Sequence, residues 1–189
     1  MLPPGLCFNA VSEKALAASK ASTFPHSYWS WESMLELNKK GYFPYTPSTN
    51  LLYGLDEALG MLYDEGLDNV FARHRRLAHA TQLAVAGWGL ENLCVNPDEY
   101  SNSTTAVLMP QGHDADVLRN VILEKFNMSL GMGLGKVKGT VFRIGHIGDF
   151  NELMMAGTLS GVEMGLSIAG VPHTKGGVNA ALEFLAGSA

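Results

Sequence analysis

Residues 139–149 read GTVFRIGHIGD, and this stretch decides how the rest of the chain is interpreted. Val141, Phe142 and Ile144 favour a β-strand, and two glycines punctuate its end. Arg143 interrupts this otherwise apolar run. Because an unpaired buried guanidinium is too costly, the arginine must reach the surface or meet an anion. The stretch therefore predicts a strand that aims Arg143 at a carboxylate or a phosphate.

The elements around this strand predict a small α+β layer. Asp149 and Glu152 have the spacing of a capping box, so a helix is expected to begin after Asp149. Upstream, residues 104–109 are expected to form a strand, Asp114 to cap a helix, and residues 128–130 to form a short strand. The order β-α-β-β-α indicates an antiparallel sheet with helices on one face. A last helix is expected at about residues 177–185.

The first third of the chain is expected to be helical. Helices are predicted at residues 10–21, with Ser12 as the N-cap, and at residues 32–39. Thr46 followed by Pro47 has the pattern of an N-cap and a first helical proline before an apolar helix. A helix N-terminus rich in hydroxyl groups binds phosphate well, but the local sequence alone favours the simpler interpretation that these side chains only cap the helix.

Composition excludes several classes of function. The 189 residues carry a net charge of −5 and no long basic run, which argues against nucleic-acid binding. Cys7 and Cys94 lie far apart without a CxxC motif, so we expect a reducing cytoplasm and no zinc site. The N-terminus lacks the features of a signal peptide, and no membrane span is expected. His74 and His79 are five residues apart, which does not suit a metal pair, and they are expected to be solvated or to face a partner.

The glycine-rich residues 131–136, GMGLGK, resemble a phosphate-binding loop only superficially. The Gly-Lys-Ser/Thr ending is absent, and a strand rather than a helix is expected to follow. A flexible hairpin loop is the better interpretation. A longer segment at residues 64–87 keeps a helical period and is expected to be a helix that connects two parts of the chain.

Four blocks, in order and at matching spacing, resemble one family: residues 2–5, 42–55, 65–67 and 142–148. They are similar to the class V aminotransferases, which are pyridoxal-phosphate enzymes of fold type I, in the serine–glyoxylate (alanine–glyoxylate) branch. The resemblance covers essentially the whole chain. It implies an α/β fold in which residues 1–63 are the tail of the large cofactor domain. Residues 64–99 would be a connecting helix and linker, and residues 100–189 the small C-terminal α+β domain.

The resemblance also implies roles for individual residues. Arg143 matches the arginine that holds the substrate α-carboxylate in a bidentate pair. Thr46 matches the threonine that reaches the phosphate of pyridoxal 5′-phosphate bound by the neighbouring subunit of a homodimer. Members of the family often carry a tyrosine three residues before that threonine. Phe43 stands there in this chain, and Tyr45 or Tyr42 could substitute for it.

The lysine that forms the Schiff base in this family belongs just before the block at residues 2–5. Lys14, Lys20, Lys39 and Lys40 stand in other contexts, so no catalytic lysine is assigned. We therefore expect the C-terminal part of an aminotransferase, arising from truncation, a split gene or an internal start. Alone it is expected to be inactive, and a homodimer or a complementing N-terminal half would be its partner.

Three functions remain open at this level. The first is part of a transaminase that moves an amino group from serine or alanine to glyoxylate. The second is a non-catalytic remnant that serves dimerisation or another interaction. The third is an independent binder of small anions that uses Arg143 and the helix end near Thr46.

Overall fold

The computed structural model describes residues 1–188, and the chain divides into two units between Asp64 and Glu65. The first unit is helical, with α1 (Glu13–Ala21), α2 (Trp31–Asn38) and most of α3 (Thr49–Glu65). Ser12 caps α1 as predicted, because its hydroxyl accepts a hydrogen bond from Ala15 N at 3.2 Å.

The prediction that Thr46 caps the third helix is wrong. The Ser48 carbonyl accepts the first hydrogen bonds of α3, from Leu51 N and Leu52 N at 3.1 Å each. Thr46 and Pro47 precede the helix. Hydroxyl side chains compete with helical backbone hydrogen bonds, so the helix begins at Thr49, just before the apolar run, rather than at Pro47.

The second unit alternates helices with short strands. In chain order the elements are α4 (Leu67–Gly87), β1 (Glu91–Asn92), β2 (Thr104–Leu108), α5 (Ala115–Phe126), β3 (Gly131–Met132), β4 (Val141–Gly145), α6 (Glu152–Ile168) and α7 (Gly177–Gly187). The predicted order β-α-β-β-α is confirmed by β2 to α6. The Asp114 cap is also confirmed, since its side chain accepts from Asp116 N at 2.7 Å.

Two local predictions in this unit are wrong. The short strand expected at residues 128–130 lies instead at Gly131–Met132, inside the stretch expected to be a loop. Asn151, not Asp149, caps α6, and its side chain accepts from Met154 N at 3.0 Å. Both residues have side chains suited to a helix cap, and the strand exit through Gly148 delays the helix by two residues. The edge strand β1 was not anticipated.

The four strands form one antiparallel sheet in the order β1-β2-β4-β3. Arg143 lies in the inner strand β4, directly between Ala106 of β2 and Gly131 of β3. Phe142 and Ile144, which point to the opposite face, are fully buried in the core. The alternation expected for a half-buried strand therefore leaves Arg143 on the outer face.

Helices cover the inner face of the sheet. The core residues come from the strands and from α4 to α7, and include Leu77, Trp88, Val107, Leu118, Ile122, Phe142, Met155 and Leu159. Helix α4 packs closely on α7, because Gly87 and Gly177 let the two backbones approach. The division of the chain into the large and small domains of a whole enzyme stays a prediction.

Candidate functional site

Arg143 stands on the outer face of the sheet with small neighbours on both sides. Its cross-strand partners are Ala106 and Gly131, and its own side chain is half-buried. Neither neighbour projects a side chain long enough to cover a guanidinium. A half-buried cation is thus presented on a rigid inner strand between two small residues, which suits recognition of a small anion.

One edge of the Arg143 guanidinium is already bonded. Its Nε–H donates to the carbonyl of Met132 at 2.9 Å. Gly131 lies so close that a Cβ built on it would be 3.0 Å from Arg143 Cβ and 3.1 Å from Nε. The two terminal nitrogens of the guanidinium therefore form the edge that remains for a planar carboxylate, in the bidentate geometry that arginine favours.

The turn that follows β4 is tied to helix α4 by two side chains. Arg73 donates through Nη1 to the carbonyls of Gly148 at 2.8 Å and Phe150 at 3.1 Å. The same guanidinium pairs with both carboxylate oxygens of Glu65, at 2.6 and 2.7 Å. This side-chain hydrogen bond raises the pKa of Arg73 and lowers the pKa of Glu65 from their ordinary values. The turn after Arg143 is consequently held by a charged anchor.

His74 completes this attachment. Its Nδ1 lies 2.7 Å from the Val70 carbonyl and its Nε2 accepts a hydrogen bond from Gly148 N at 3.1 Å. A carbonyl can only accept, so Nδ1 carries the proton in this arrangement. The expectation that His74 is solvated or faces a partner is therefore wrong. His79 is exposed and packs edge-on against Phe184, with ring centroids 4.8 Å apart.

His146 is fully buried and directly follows strand β4. Its Nε2 lies 2.9 Å from Thr105 Oγ1, and its Nδ1 lies 3.1 Å from the Asn102 carbonyl. Burial lowers the pKa of His146 to about 4. A neutral imidazole with both nitrogens bonded is a structural element here, and it is unavailable for proton transfer at neutral pH.

Thr46 and Tyr45 lie in the first unit, and both are exposed. The ring of Tyr45 packs on Tyr28 with centroids 4.6 Å apart and planes inclined by 33°. This contact restrains the ring of Tyr45. Both residues carry exposed hydroxyl donors, and the first helical turn of α3 begins three residues after Thr46.

Sequence reasoning found Arg143 but missed the residues that hold it. Met132 and Gly131 were assigned to a loop. Arg73 belongs to a cationic cluster, residues 73–76, in which all members except the exposed Arg75 make internal hydrogen bonds. Arg76 in the same cluster pairs with Glu152 and donates to the Leu185 carbonyl at 3.1 Å. The signal that could have identified this cluster is the pairing of two arginines with acids that flank helix starts.

Residues 1–188 contain no group of three or more His, Cys, Asp or Glu side chains arranged to hold a metal ion. Within the same residues, no helix combines the length and the apolarity that a membrane crossing requires.

Comparison with known proteins identifies relatives along the whole chain. The chain is 46% identical to the serine–glyoxylate aminotransferase of Methylorubrum extorquens over 191 residues, which cover 98% of this chain and 48% of that protein. It is 48% identical to the serine–glyoxylate aminotransferase of Arabidopsis thaliana over 187 residues, which cover 97% of this chain and 46% of that protein. The chain thus spans about half the length of the curated relatives it matches. No protein-family model matches it.

A solved structure confirms the fold. The pyridoxamine–pyruvate aminotransferase from Mesorhizobium loti superimposes with a TM-score of 0.80 at 30% identity. The match covers 95% of this chain and 47% of that one. The predicted α/β fold of an aminotransferase is therefore confirmed for the part of the fold that this chain spans.

Proposed function

Because the chain belongs to the family of the serine–glyoxylate aminotransferases, we propose that it forms the C-terminal part of a transaminase that uses pyridoxal 5′-phosphate. The reaction moves the amino group of serine, or of alanine, to the carbonyl carbon of glyoxylate. Serine then leaves as hydroxypyruvate and glyoxylate leaves as glycine. Serine and glyoxylate are named in both relatives' names, and alanine is the other donor of the branch that the sequence resembles.

The observation that carries the proposal is the presentation of Arg143. The amino donor and the oxo-acid acceptor each carry a carboxylate, and the enzyme must bind each of them in turn by that group. A guanidinium between Ala106 and Gly131, whose terminal nitrogens donate no hydrogen bond within residues 1–188, fits this shared group. Its role is to bind and orient both acids, which brings reacting atoms together in a fixed geometry.

The hydroxyl donors of the first unit fit the phosphate end of the cofactor. A phosphate accepts several hydrogen bonds and carries negative charge, so exposed hydroxyls beside a helix start suit it. Thr46 and Tyr45 would supply such donors, with the ring of Tyr45 restrained by Tyr28. Pyridoxal phosphate, when bound, supplies the carbonyl group and the electron-withdrawing ring that amino-group transfer requires.

We propose that the lysine which attaches the cofactor comes from polypeptide outside these 189 residues. Lys14 and Lys20 are exposed on α1, and Lys39 and Lys40 are exposed at the end of α2. Lys40 is engaged with Glu36 at 3.5 Å. A lysine that attaches the cofactor needs a buried site, because burial favours the neutral amine. Exposed positions on α1 and at the end of α2 do not provide such a site.

The test reconstitutes the enzyme from two pieces. This chain is mixed with the half of the Methylorubrum extorquens relative that it does not span, together with pyridoxal phosphate, serine and glyoxylate. Hydroxypyruvate should form only when both pieces are present. Arg143→Ala should reduce kcat/KM at least about 30-fold, since losing one partner of a charge pair costs roughly 2–5 kcal/mol. Arg75→Ala, which changes another exposed arginine, is the matched control.

A second measurement does not depend on reconstitution. Calorimetry on the chain alone should detect glyoxylate binding that Arg143→Ala abolishes. Full activity of the chain by itself would contradict the proposal that the lysine lies elsewhere. Full activity of the Arg143→Ala assembly would contradict the role of Arg143.

The second candidate is a non-catalytic interaction module, favoured by the surface of the first unit. Among residues 1–64, all described by the structure, Ala58 is the only hydrophobic side chain that is buried. Large exposed rings include Phe24, Trp29, Tyr53 and Tyr63, each more than 70% exposed. So much apolar surface on one part of a chain suits contact with another polypeptide, either a second copy or a complementing half.

Light scattering coupled to size-exclusion chromatography separates these possibilities. A dimer or a stable complex with the complementing half that lacks transaminase activity would favour the interaction module. A well-folded monomer that remains monomeric with that half present would contradict both proposals. We further propose a cytoplasmic location, because Cys7 and Cys94 are both free thiols.

A further inference from the structure

The pairing of β3 with β4 places a glycine directly opposite the long side chain of an arginine. Gly131 lies directly across from Arg143, and Met132 lies across from Phe142. The carbonyl of Met132 accepts the Arg143 Nε–H at 2.9 Å. Strand β3 has only these two residues, and both contribute to the environment of one guanidinium, one by its backbone and one by the absence of a side chain.

We infer that Gly131 and the Met132 carbonyl are the positioning elements of the Arg143 guanidinium, and that they restrict a carboxylate to an end-on approach between its two terminal nitrogens. This inference rests on the proposed role of Arg143 in carboxylate binding. A guanidinium offers two kinds of bidentate edge, one that includes Nε and one made of the two terminal nitrogens. The Met132 carbonyl occupies Nε, so the terminal pair is the edge left open.

Glycine at position 131 is required by the space that the guanidinium fills. An added Cβ would lie 3.0 Å from Arg143 Cβ, 3.1 Å from Nε and 3.5 Å from Cζ. The end of a flexible side chain can move aside, but Arg143 Cβ is fixed to the strand backbone. The arginine stem must then shift or leave its rotamer, which moves the terminal nitrogens and strains the bond to Met132.

A side chain at position 131 would reduce the preorganisation of the Arg143 guanidinium for binding. In the native arrangement the guanidinium is held before a ligand arrives, so little side-chain freedom is lost on binding. Misplacing the terminal nitrogens by a few tenths of an ångström weakens a bidentate pair, because both hydrogen bonds depend on one plane. Gly131 and Met132 thus act through Arg143 and do not themselves touch the substrate.

The test observes the guanidinium directly. Nitrogen-15 NMR of the chain resolves the Nε–H of arginine, and the signal of Arg143 is assigned by its disappearance in Arg143→Lys. In the wild type this proton should exchange with water at least ten times more slowly than that of free arginine, because it is bonded to Met132. In Gly131→Ala the signal should shift and its exchange should accelerate at least threefold.

Carboxylate binding is measured on the same samples with glyoxylate as the probe. The Kd of Gly131→Ala should rise at least tenfold over the wild type. The matched control is Gly157→Ala, which adds the same methyl group on α6 where it meets nothing within 4 Å, and it should leave both the Nε–H signal and the Kd unchanged. In an Arg143→Lys background, Gly131→Ala should have no additional effect on the Kd, because its influence passes through the guanidinium.

The outcomes separate this inference from the proposed function. If wild-type chain binds glyoxylate through Arg143 and Gly131→Ala binds it equally well, the positioning inference is overturned and the function of Arg143 stands. If the Nε–H responds as expected but glyoxylate never perturbs Arg143, the carboxylate role fails. An unprotected Nε–H in the wild type overturns the positioning inference even if Gly131→Ala does not fold.

Discussion

The hydroxyl of Thr105 and the Nε2 of His146 lie 2.9 Å apart inside the second unit, and they join strand β2 to the residue that follows β4. The Asn102 carbonyl accepts a hydrogen bond from Nδ1–H, so Nε2 accepts one from the Thr105 hydroxyl. Burial lowers the pKa of His146 from 6.5 to about 4. This arrangement requires a neutral imidazole.

Acid should therefore destabilise the second unit through His146. Between pH 6.5 and about 4 the unfolded chain binds a proton at this histidine that the folded chain does not, so the free energy of unfolding falls as the pH falls. A shift of this size corresponds to about 3 kcal/mol once the pH is below both values. Urea unfolding at pH 7 and at pH 5 measures how steeply the free energy of unfolding changes with pH. Unfolding is followed by the fluorescence of Trp88 in a Trp29→Phe/Trp31→Phe background.

His146→Gln is the matched variant for this slope. It should lower stability at pH 7, because the fit to Thr105 and Asn102 is imperfect, but it should remove most of the dependence on pH between 5 and 6.5. An unchanged slope in the variant would assign the acid sensitivity to another group.

Glu163 should contribute more to stability than its position on a helix surface suggests. Its carboxylate accepts from Trp88 Nε1 at 2.8 Å, from Gly176 N at 2.6 Å and from Val178 N at 3.1 Å. Burial tends to raise its pKa, but the three donors prevail and the pKa of Glu163 lies below its ordinary value. Its stabilisation is present above pH 4.5 and is lost as the pH falls through the lowered pKa.

Glu163→Gln places an amide N–H₂ group against these donors, so about 2 kcal/mol of stability should be lost at pH 7. Glu124→Gln, which makes the same change at an exposed position of α5, should alter the urea midpoint little. Equal midpoints for the two variants would show that the hydrogen bonds that Glu163 accepts at the start of α7 contribute nothing to stability.

Arg73→Lys should loosen the turn that follows the Arg143 strand without unfolding the unit. A lysine keeps the charge near Glu65 but cannot make the paired bonds to Glu65 and also reach Gly148 and Phe150. Amide hydrogen exchange at Gly148, whose N–H donates to His74, should accelerate several-fold. Exchange at Val107 in the core should stay as it is, and parallel acceleration there would instead indicate global destabilisation.

Gly177→Ala should be among the costliest single-methyl changes in the second unit. The new Cβ would overlap Trp88 Cδ1 and lie 2.6 Å from the Ala84 carbonyl, at the crossing of α4 and α7. Overpacking of this kind costs about 1–3 kcal/mol, and backbone on one side leaves little room to relax. Gly187→Ala is the control in the same helix, since its Cβ meets nothing within 4 Å. Thermal unfolding of both variants compares them, and similar midpoints would mean that the helices can separate at no cost.

The order of strands and helices around Arg143 was predictable because residues within each element determine its type. β-branched and aromatic residues mark β2 and β4, and Asp114 marks the start of α5. The resemblance then supplied the ligand expected for Arg143. These features depend on residues that are neighbours in the chain.

The partners of Arg143 were not predictable, because they depend on strand register. Met132 lies eleven residues earlier in a stretch whose glycines read as a loop, and only the pairing of β3 with β4 brings its carbonyl to Nε. The errors at Thr46 and Asp149 have a different origin. In each case a second residue suited to capping, Ser48 or Asn151, lies two positions later and accepts the first hydrogen bonds of the helix.

The sheet order β1-β2-β4-β3 also affects the order in which parts of the chain fold. Strand β4 pairs with β2 across the whole of α5 and β3, so a long loop must close before Arg143 acquires its place. Contacts that are so distant along the chain form more slowly than the turns of α4 or α6. We expect the helices to appear first and the anion anchor to mature late during refolding. In stopped-flow experiments, glyoxylate binding would then lag behind the recovery of helical circular dichroism.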